Sequence, residues 1–307
     1  MSQHKNIRHK QGISDNHLPF KIVKHTLACE RHPLRNEDSL FFEQASGLAA
    51  VFDGVGGSAA GEIASQTARR AALHRWHQEL REIQQGQQLK KGLVDCSTAD
   101  YCAVLQRLVE AADEEVRTEG AREAGTDDLA TTVAMAMFCH ESNSNEYTMF
   151  YAHVGDSRVY LLHENEPLKR LTIDDGLLGR LVESQMVEEE NALRIDQAMR
   201  AEDLTDVEFS YFRLRGGITQ ALGGPVPPNI HLNSIPIAIG DRVLLCTDGI
   251  HDNLTDLEIQ DILRTSSRHA AARNLVERSL LRSREERFIT IRAKPDDMSA
   301  TVITRRF

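Results

Sequence analysis

A chain of 307 residues with 41% hydrophobic and 27% charged residues has the make-up of a globular protein that can bury a sizeable core. Its net charge of −10, with no Lys/Arg run interleaved with aromatics, excludes a nucleic-acid groove, and no apolar stretch approaches the ~20 residues that span a bilayer. The five cysteines, Cys29, Cys96, Cys102, Cys139 and Cys246, are odd in number and form no Cys-x-x-Cys pair, which fits reduced thiols in a cytoplasmic protein rather than disulfides or a zinc site.

In chain order, residues 1–20 are basic and polar without a hydrophobic centre, which predicts a flexible arm and not a secretory signal. Nothing in that composition demands signal-less export. "RNEDSLFF" then places Glu37 and Asp38 at a strand entry, and "LAAVFDG" is an apolar run closed by Asp53 and Gly54. Gly56 and Gly57 let the chain turn into a helix expected over 59–80. "QQGQQLKKG" reads as a surface insertion before a second helix over 99–122, which opens on capping residues. "TTVAMAMF" and "YTMFYAHVGDSRVYLL" read as strands, the second divided by "GDS", the signal of a hairpin with Asp156 at its turn. A helix is expected near 177–189, followed by the acidic "VEEENALRIDQAMRAEDLTD" as another surface insertion. "DRVLLCTDG" is a strand ending on Asp248, with Asp252 four residues on, and helices cover 256–282 with a break near Ser266. The pair Asp296 and Asp297 precedes the last strand, "SATVIT". Strands and helices come in pairs without strict alternation, which predicts antiparallel sheets covered by helices and excludes a Rossmann fold. With no internal repeat and no long linker, residues 21–307 read as one domain.

A single Asp-Gly after an apolar run usually marks a turn and nothing more. Here Asp53, Asp156, Asp248 and Asp296 all stand at strand ends, with Glu37, Asp38 and Asp252 beside them. If those ends converge, each pair of like charges at 4 Å repels by roughly 4 kcal/mol at an effective dielectric near 20, so the cluster requires cations. Oxygen ligands without His or Cys select hard ions, Mg²⁺ or Mn²⁺. Gly54, lacking a Cβ, can bring its carbonyl close to such an ion. The 13 histidines show no ligand spacing outside the arm.

Taken together, "NEDS", "VFDGVGG", "ATTVAMAM", "AHVGDSRVYLL", "LTIDD", "ITQALGG", "LLCTDGIHD" and "DDMSATVI" resemble, in order, the motifs of the metal-dependent serine/threonine protein phosphatases of the 2C type, in the bacterial branch. The resemblance implies an α+β, four-layer αββα sandwich of two antiparallel sheets flanked by antiparallel helix pairs, with a two-metal centre at one end. Carried over, Asp53 bridges two Mn²⁺ or Mg²⁺ ions, Asp248 and Asp296 complete the first, and Glu37 with the Gly54 carbonyl holds the second. Asp38 matches the neighbour that positions metal-bound water, and Asp156 with Asp252 a third, weaker metal site. The implied reaction is attack of a metal-bridging hydroxide on phosphoserine or phosphothreonine in a protein. A phosphorylated protein is then the partner, with a cognate kinase as a further candidate, and neither nucleic acid nor membrane is expected.

Three departures stand out. Where the family carries a phosphate-binding arginine this chain has Pro33, flanked by Arg31 and Arg35, which become the candidates for that role. Val55 replaces the histidine many eukaryotic members have after Asp-Gly, and Asp175 replaces the usual histidine of "LTIDD". A divergent flap-like insertion spans about 176–216, where substrate choice is expected to lie. The missing arginine and histidine motivate the alternative, a regulatory pseudophosphatase that binds a phosphoprotein or partner with little turnover. A phosphodiesterase or nuclease is disfavoured by the acidic charge.

Overall fold

The apolar runs of this sequence are apolar at successive positions because the strands they form lie inside the sheets, covered on both faces. The computed structural model describes residues 19–43, 47–55, 59–86, 98–122, 129–140 and 146–306. One sheet runs, in spatial order, β1 (Phe20–Leu27), β11 (Met298–Arg305), β10 (Arg242–Cys246), β7 (Arg158–Leu162) and β8 (Lys169–Arg170). The other runs β2 (Asp38–Glu43), β3 (Leu48–Val55), β5 (Val133–His140), β6 (Tyr147–Val154) and β9 (His231–Ile237), with the short β4 (Ala130–Thr131) paired to β3. Their pairings are antiparallel.

Alternation along β3 shows how the layers arise. Leu48, Ala50 and Phe52 face the helices α1 (Ala59–Gly86) and α2 (Thr98–Arg122), packing with Ala68, Trp76, Leu105 and Leu108. Ala49 and Val51 face the other way, toward Leu161, Val243 and Ile303 of the five-stranded sheet. That sheet's outer face, with Leu244, Ala300 and Val302, is covered by α7 (Asp256–Thr265) and α8 (Ala271–Ser283) through Ile259, Leu263 and Leu275. The result is the four-layer αββα sandwich of class α+β.

The structure corrects the expected hairpin across "GDS". β6 and β7 do not pair; they belong to different sheets, and the chain crosses the sandwich between them. Gly155 takes φ +93° over Thr132, whose side chain a Cβ there would strike, and Thr132 Oγ1 lies 2.7 Å from Ser157 Oγ. Arg158, 2% exposed, is drawn into the interior by Asp174.

The helix expected over 177–189 is two helices, α3 (Leu177–Glu183) and α4 (Glu189–Asp196). Gln185 at φ 58° ends α3: its N–H donates to the Val182 carbonyl and that of Met186 to the Leu181 carbonyl, the Schellman pattern. With α5 (Asp206–Leu214) these helices share a small core of Leu178, Ala192, Ile195 and Phe212. The acidic segment is therefore more than a surface insertion, since its Asp196 is buried. Of the arm, residues up to 18 lie outside the described residues, while Phe20 opens β1. Gly56, Gly57, Cys96 and positions 87–92 of "QQGQQLKKG" also lie outside them.

Candidate functional site

The register of β2 on β3 sets Asp38 directly opposite Asp53, which places two carboxylates side by side on one face with their Cβ atoms about 4.5–5.5 Å apart. β10 delivers the next residues. The Thr247 hydroxyl donates to Asp38 Oδ2 at 2.7 Å, and Asp248, the first residue of α6 (Asp248–His251), has its N–H 3.5 Å from Asp53 Oδ2. Ahead of β11, the buried Asp297 accepts N–H bonds from Cys29 and Glu37, each at 2.6 Å, and so ties the Glu37 loop to the end of that strand.

The electrostatics show how far the strand ends converge. Burial and then the charges of Asp248, Asp38, Asp296 and Asp156 push the Asp53 carboxyl well above its ordinary range. Burial, then Asp248 and Asp174, does the same to Asp156 at the inter-sheet corner. Asp38 is raised by burial against the opposing Thr247 bond, and Asp248 by burial against Lys294. Asp252 goes the other way: burial alone would raise it, but Arg215 and Lys294 outweigh that and hold it well below.

Lys294 was not singled out by the sequence. Its ammonium donates to Asp248 and, at 2.9 Å, to Asp252, and it lies 3.0 Å from Asp296. Burial opposes its charge, yet these three carboxylates keep it protonated far into the alkaline range. Arg215, which follows α5, is the other missed cation, 3.3 Å from Asp252 Oδ1. "KPDD" and "RLRGG" were visible as strings, but nothing in them says which acid each cation meets.

Glu37 and Gly54 form a separate corner of the site. The Gly54 N–H donates to the Glu37 carbonyl at 3.1 Å. A Cβ on Gly54 would collide with the Gly61 carbonyl of α1 and come within 2.7 Å of the Glu37 carbonyl, so the glycine is required by the close approach of helix and loop. A Cβ on Gly61 would in turn meet the Gly54 oxygen at 2.8 Å and Glu37 Oε2 at 3.0 Å, so that carbonyl and that carboxylate border one small space. Arg35 lies 3.0 Å from Glu37 Oε1 at the lip, whereas Arg31 is exposed on the turn before it. Cys246 is fully buried and burial pushes its thiol up, so it packs rather than reacts.

A family profile described as protein phosphatase 2C matches residues 28–287. The chain belongs to the protein phosphatase 2C family. Serine/threonine protein phosphatase PstP of Mycobacterium tuberculosis is 29% identical over 262 residues, 84% of this chain and 42% of PstP, so the chain spans about two fifths of that relative's length. The solved structure of the Mycobacterium tuberculosis phosphatase PstP/Ppp superposes with a TM-score of 0.68 at 25% identity, covering 94% of this chain and 99% of that one. A PstP catalytic domain in complex with two manganese ions gives a TM-score of 0.64 at 24% identity over 94% and 99% of the two chains. Among the described residues of this family member, no helix is long and apolar enough to cross a membrane.

Proposed function

We propose that this chain is a Mn²⁺- or Mg²⁺-dependent phosphatase that hydrolyses phosphoserine and phosphothreonine in proteins. One observation carries the reading: Asp53 is buried among Asp248, Asp38, Asp296 and Asp156, so that burial and then their charges raise its pKa, while of the nearby cations Lys294 pairs with Asp248, Asp252 and Asp296 and Arg215 with Asp252. An all-oxygen donor set with excess negative charge fits hard divalent ions. In this reading Asp53, Asp248 and Asp296 would hold one such ion, Asp53 with Glu37 and the Gly54 carbonyl a second, and Asp156 with Asp252 a third. When bound, such ions supply Lewis acidity that makes water nucleophilic near neutral pH and offsets phosphoryl charge.

The chain's own groups do the positioning. Arg35, at the lip beside Glu37, binds substrate phosphate through its planar donor fork. Asp38, fixed by the Thr247 hydroxyl on Oδ2, uses its second oxygen to orient the attacking water. The helices α3 to α5 border the cleft through Arg215 and select the phosphoprotein; a Ser/Thr kinase would supply that substrate.

Lys294 favours the second reading, a regulatory pseudophosphatase, because its ammonium already neutralises Asp248, Asp252 and Asp296. Phosphate release from a phosphothreonine peptide with Mn²⁺, with EDTA, and with Asp53→Ala or Asp248→Ala separates the two. Turnover that requires the metal and both carboxylates supports the enzyme; bound metal without turnover on a panel of peptides overturns it.

A further inference from the structure

We propose that His153, Asp175 and His231 form a second metal site, distinct from the carboxylate cluster, for a borderline divalent cation such as Zn²⁺. His153 on β6 and His231 on β9 are directly opposed in the strand register, and their rings stack with centroids 4.6 Å apart at 18°. Asp175, in the loop after β8, closes the triangle. One ligand atom from each of the three lies within 4.8 Å of the others.

The hydrogen bonds prepare these side chains as ligands. His153 is 4% exposed, and its Nε2 lies 2.8 Å from the Ile173 carbonyl, which must accept, so Nε2 carries the proton and Nδ1 the lone pair. That Nδ1 is buried and has no hydrogen-bond partner among the described residues. A plain His–Asp pair explains the 2.8 Å between His231 Nε2 and Asp175 Oδ1 but leaves Nδ1 of His153 orphaned, the lone pair that a cation held by the three side chains would take up. Burial, helped by the His231 charge and opposed by the Ile173 bond, keeps His153 neutral, the form that binds metal. Asp175 is itself held, with the Gly155 N–H on Oδ2 and the Gln220 amide on Oδ1, both at 2.9 Å, and the His231 side chain, 36% exposed, leaves a path for entry and a position for water.

Two imidazoles and one carboxylate select Zn²⁺, Co²⁺ or Ni²⁺ over the hard ions suited to the oxygen cluster. The two sites flank one corner, since Gly155, whose N–H binds Asp175, precedes Asp156. An ion held there would brace β6, β9 and the Asp174–Asp175 loop behind that carboxylate.

The test titrates the chelator-stripped 307-residue protein with Co²⁺ and reads visible absorption and stoichiometry, because nitrogen-ligated, low-coordinate cobalt absorbs far more strongly than cobalt in an all-oxygen site. The expected result is one strongly absorbing equivalent that persists in Asp53→Asn, is displaced by Zn²⁺, and is lost in His231→Gln with its circular dichroism unchanged. His153→Ala gives the same loss. An absorbing equivalent that survives His231→Gln, or its disappearance in Asp53→Asn, overturns the proposal, as does the absence of any absorbing cobalt in the parent protein. None of these outcomes depends on phosphatase turnover.

Discussion

Two groups of aspartates sit within one fold and are treated oppositely. At the end of the sandwich, Asp38, Asp53, Asp156 and Asp248 are raised, burial first and neighbouring carboxylates after it. Under the flap, Asp196 is equally buried but is met by Arg158, Arg170, Arg292 and Arg215, which overcome burial and lower its pKa far below the ordinary range. Asp174 is lowered in the same way, chiefly by Arg158. Arg292, fully buried, donates to the Asp196, His251 and Leu254 carbonyls and locks α4 onto the loop that carries Asp252. One group is neutralised by the chain itself and holds the fold together; the other, which Lys294 reaches only at Asp248, is left short of positive charge and so must draw it from solution.

Removing an aspartate should therefore have opposite effects in the two places. Asp196→Ala strands buried guanidinium groups and is expected to cost about 3–5 kcal/mol in urea unfolding at pH 7. The sign of its pH dependence follows from the lowered native pKa. The contribution is complete above the unfolded value of about 4 and is lost as pH falls toward the native one, so the gap between parent and variant narrows at pH 3. If the gap is the same at both pH values, the charge pairing is not what holds α4.

Asp53→Ala is expected to lower phosphate release by more than about 100-fold, beyond the 10–100-fold typical of residues one step removed from a metal. The same loss of charge should stabilise the protein in EDTA by about 1 kcal/mol, since the ionised carboxylate is disfavoured there. A variant that is both inactive and less stable in EDTA would remove the contrast between the two groups. Arg35→Ala, which deletes one charged hydrogen-bonding partner of the phosphate, should reduce kcat/KM about 10-fold or more, chiefly through KM. The smallest effect expected is that of Lys294→Met, which frees Asp248, Asp252 and Asp296. It should lower the Mn²⁺ concentration at half-saturation by about threefold in calorimetry, and an unchanged midpoint would mean that the ammonium does not compete with metal.

Much of the site was legible because its chemistry is local. A carboxylate at the end of an apolar run is visible in "LAAVFDG", "RVLLCTDG" and "PDDMSATVI", and the strand order brings those ends together. The four-layer αββα order was what the family resemblance implied, whereas antiparallel sheets covered by helices were legible from the pairing of strands and of helices along the chain. The inter-sheet corner at Gly155 was not, because "GDS" suits a hairpin equally well. Only Thr132 beneath it, the Asp175 carboxylate on its N–H and the pull of Asp174 on Arg158 decide that the chain crosses.

The cations and histidines were hidden for a different reason. Lys294 and Arg215 are ordinary basic residues until folding brings them to Asp252, and His153 and His231 are 78 positions apart until β6 and β9 pair. The sequence by itself determined which groups carry charge and where strands end, because those properties reside in single residues and their neighbours. Which charges face one another, and which buried nitrogen lacks a partner, was decided only by the tertiary structure, since Coulomb and hydrogen-bond energies depend on distances that chain separation does not set.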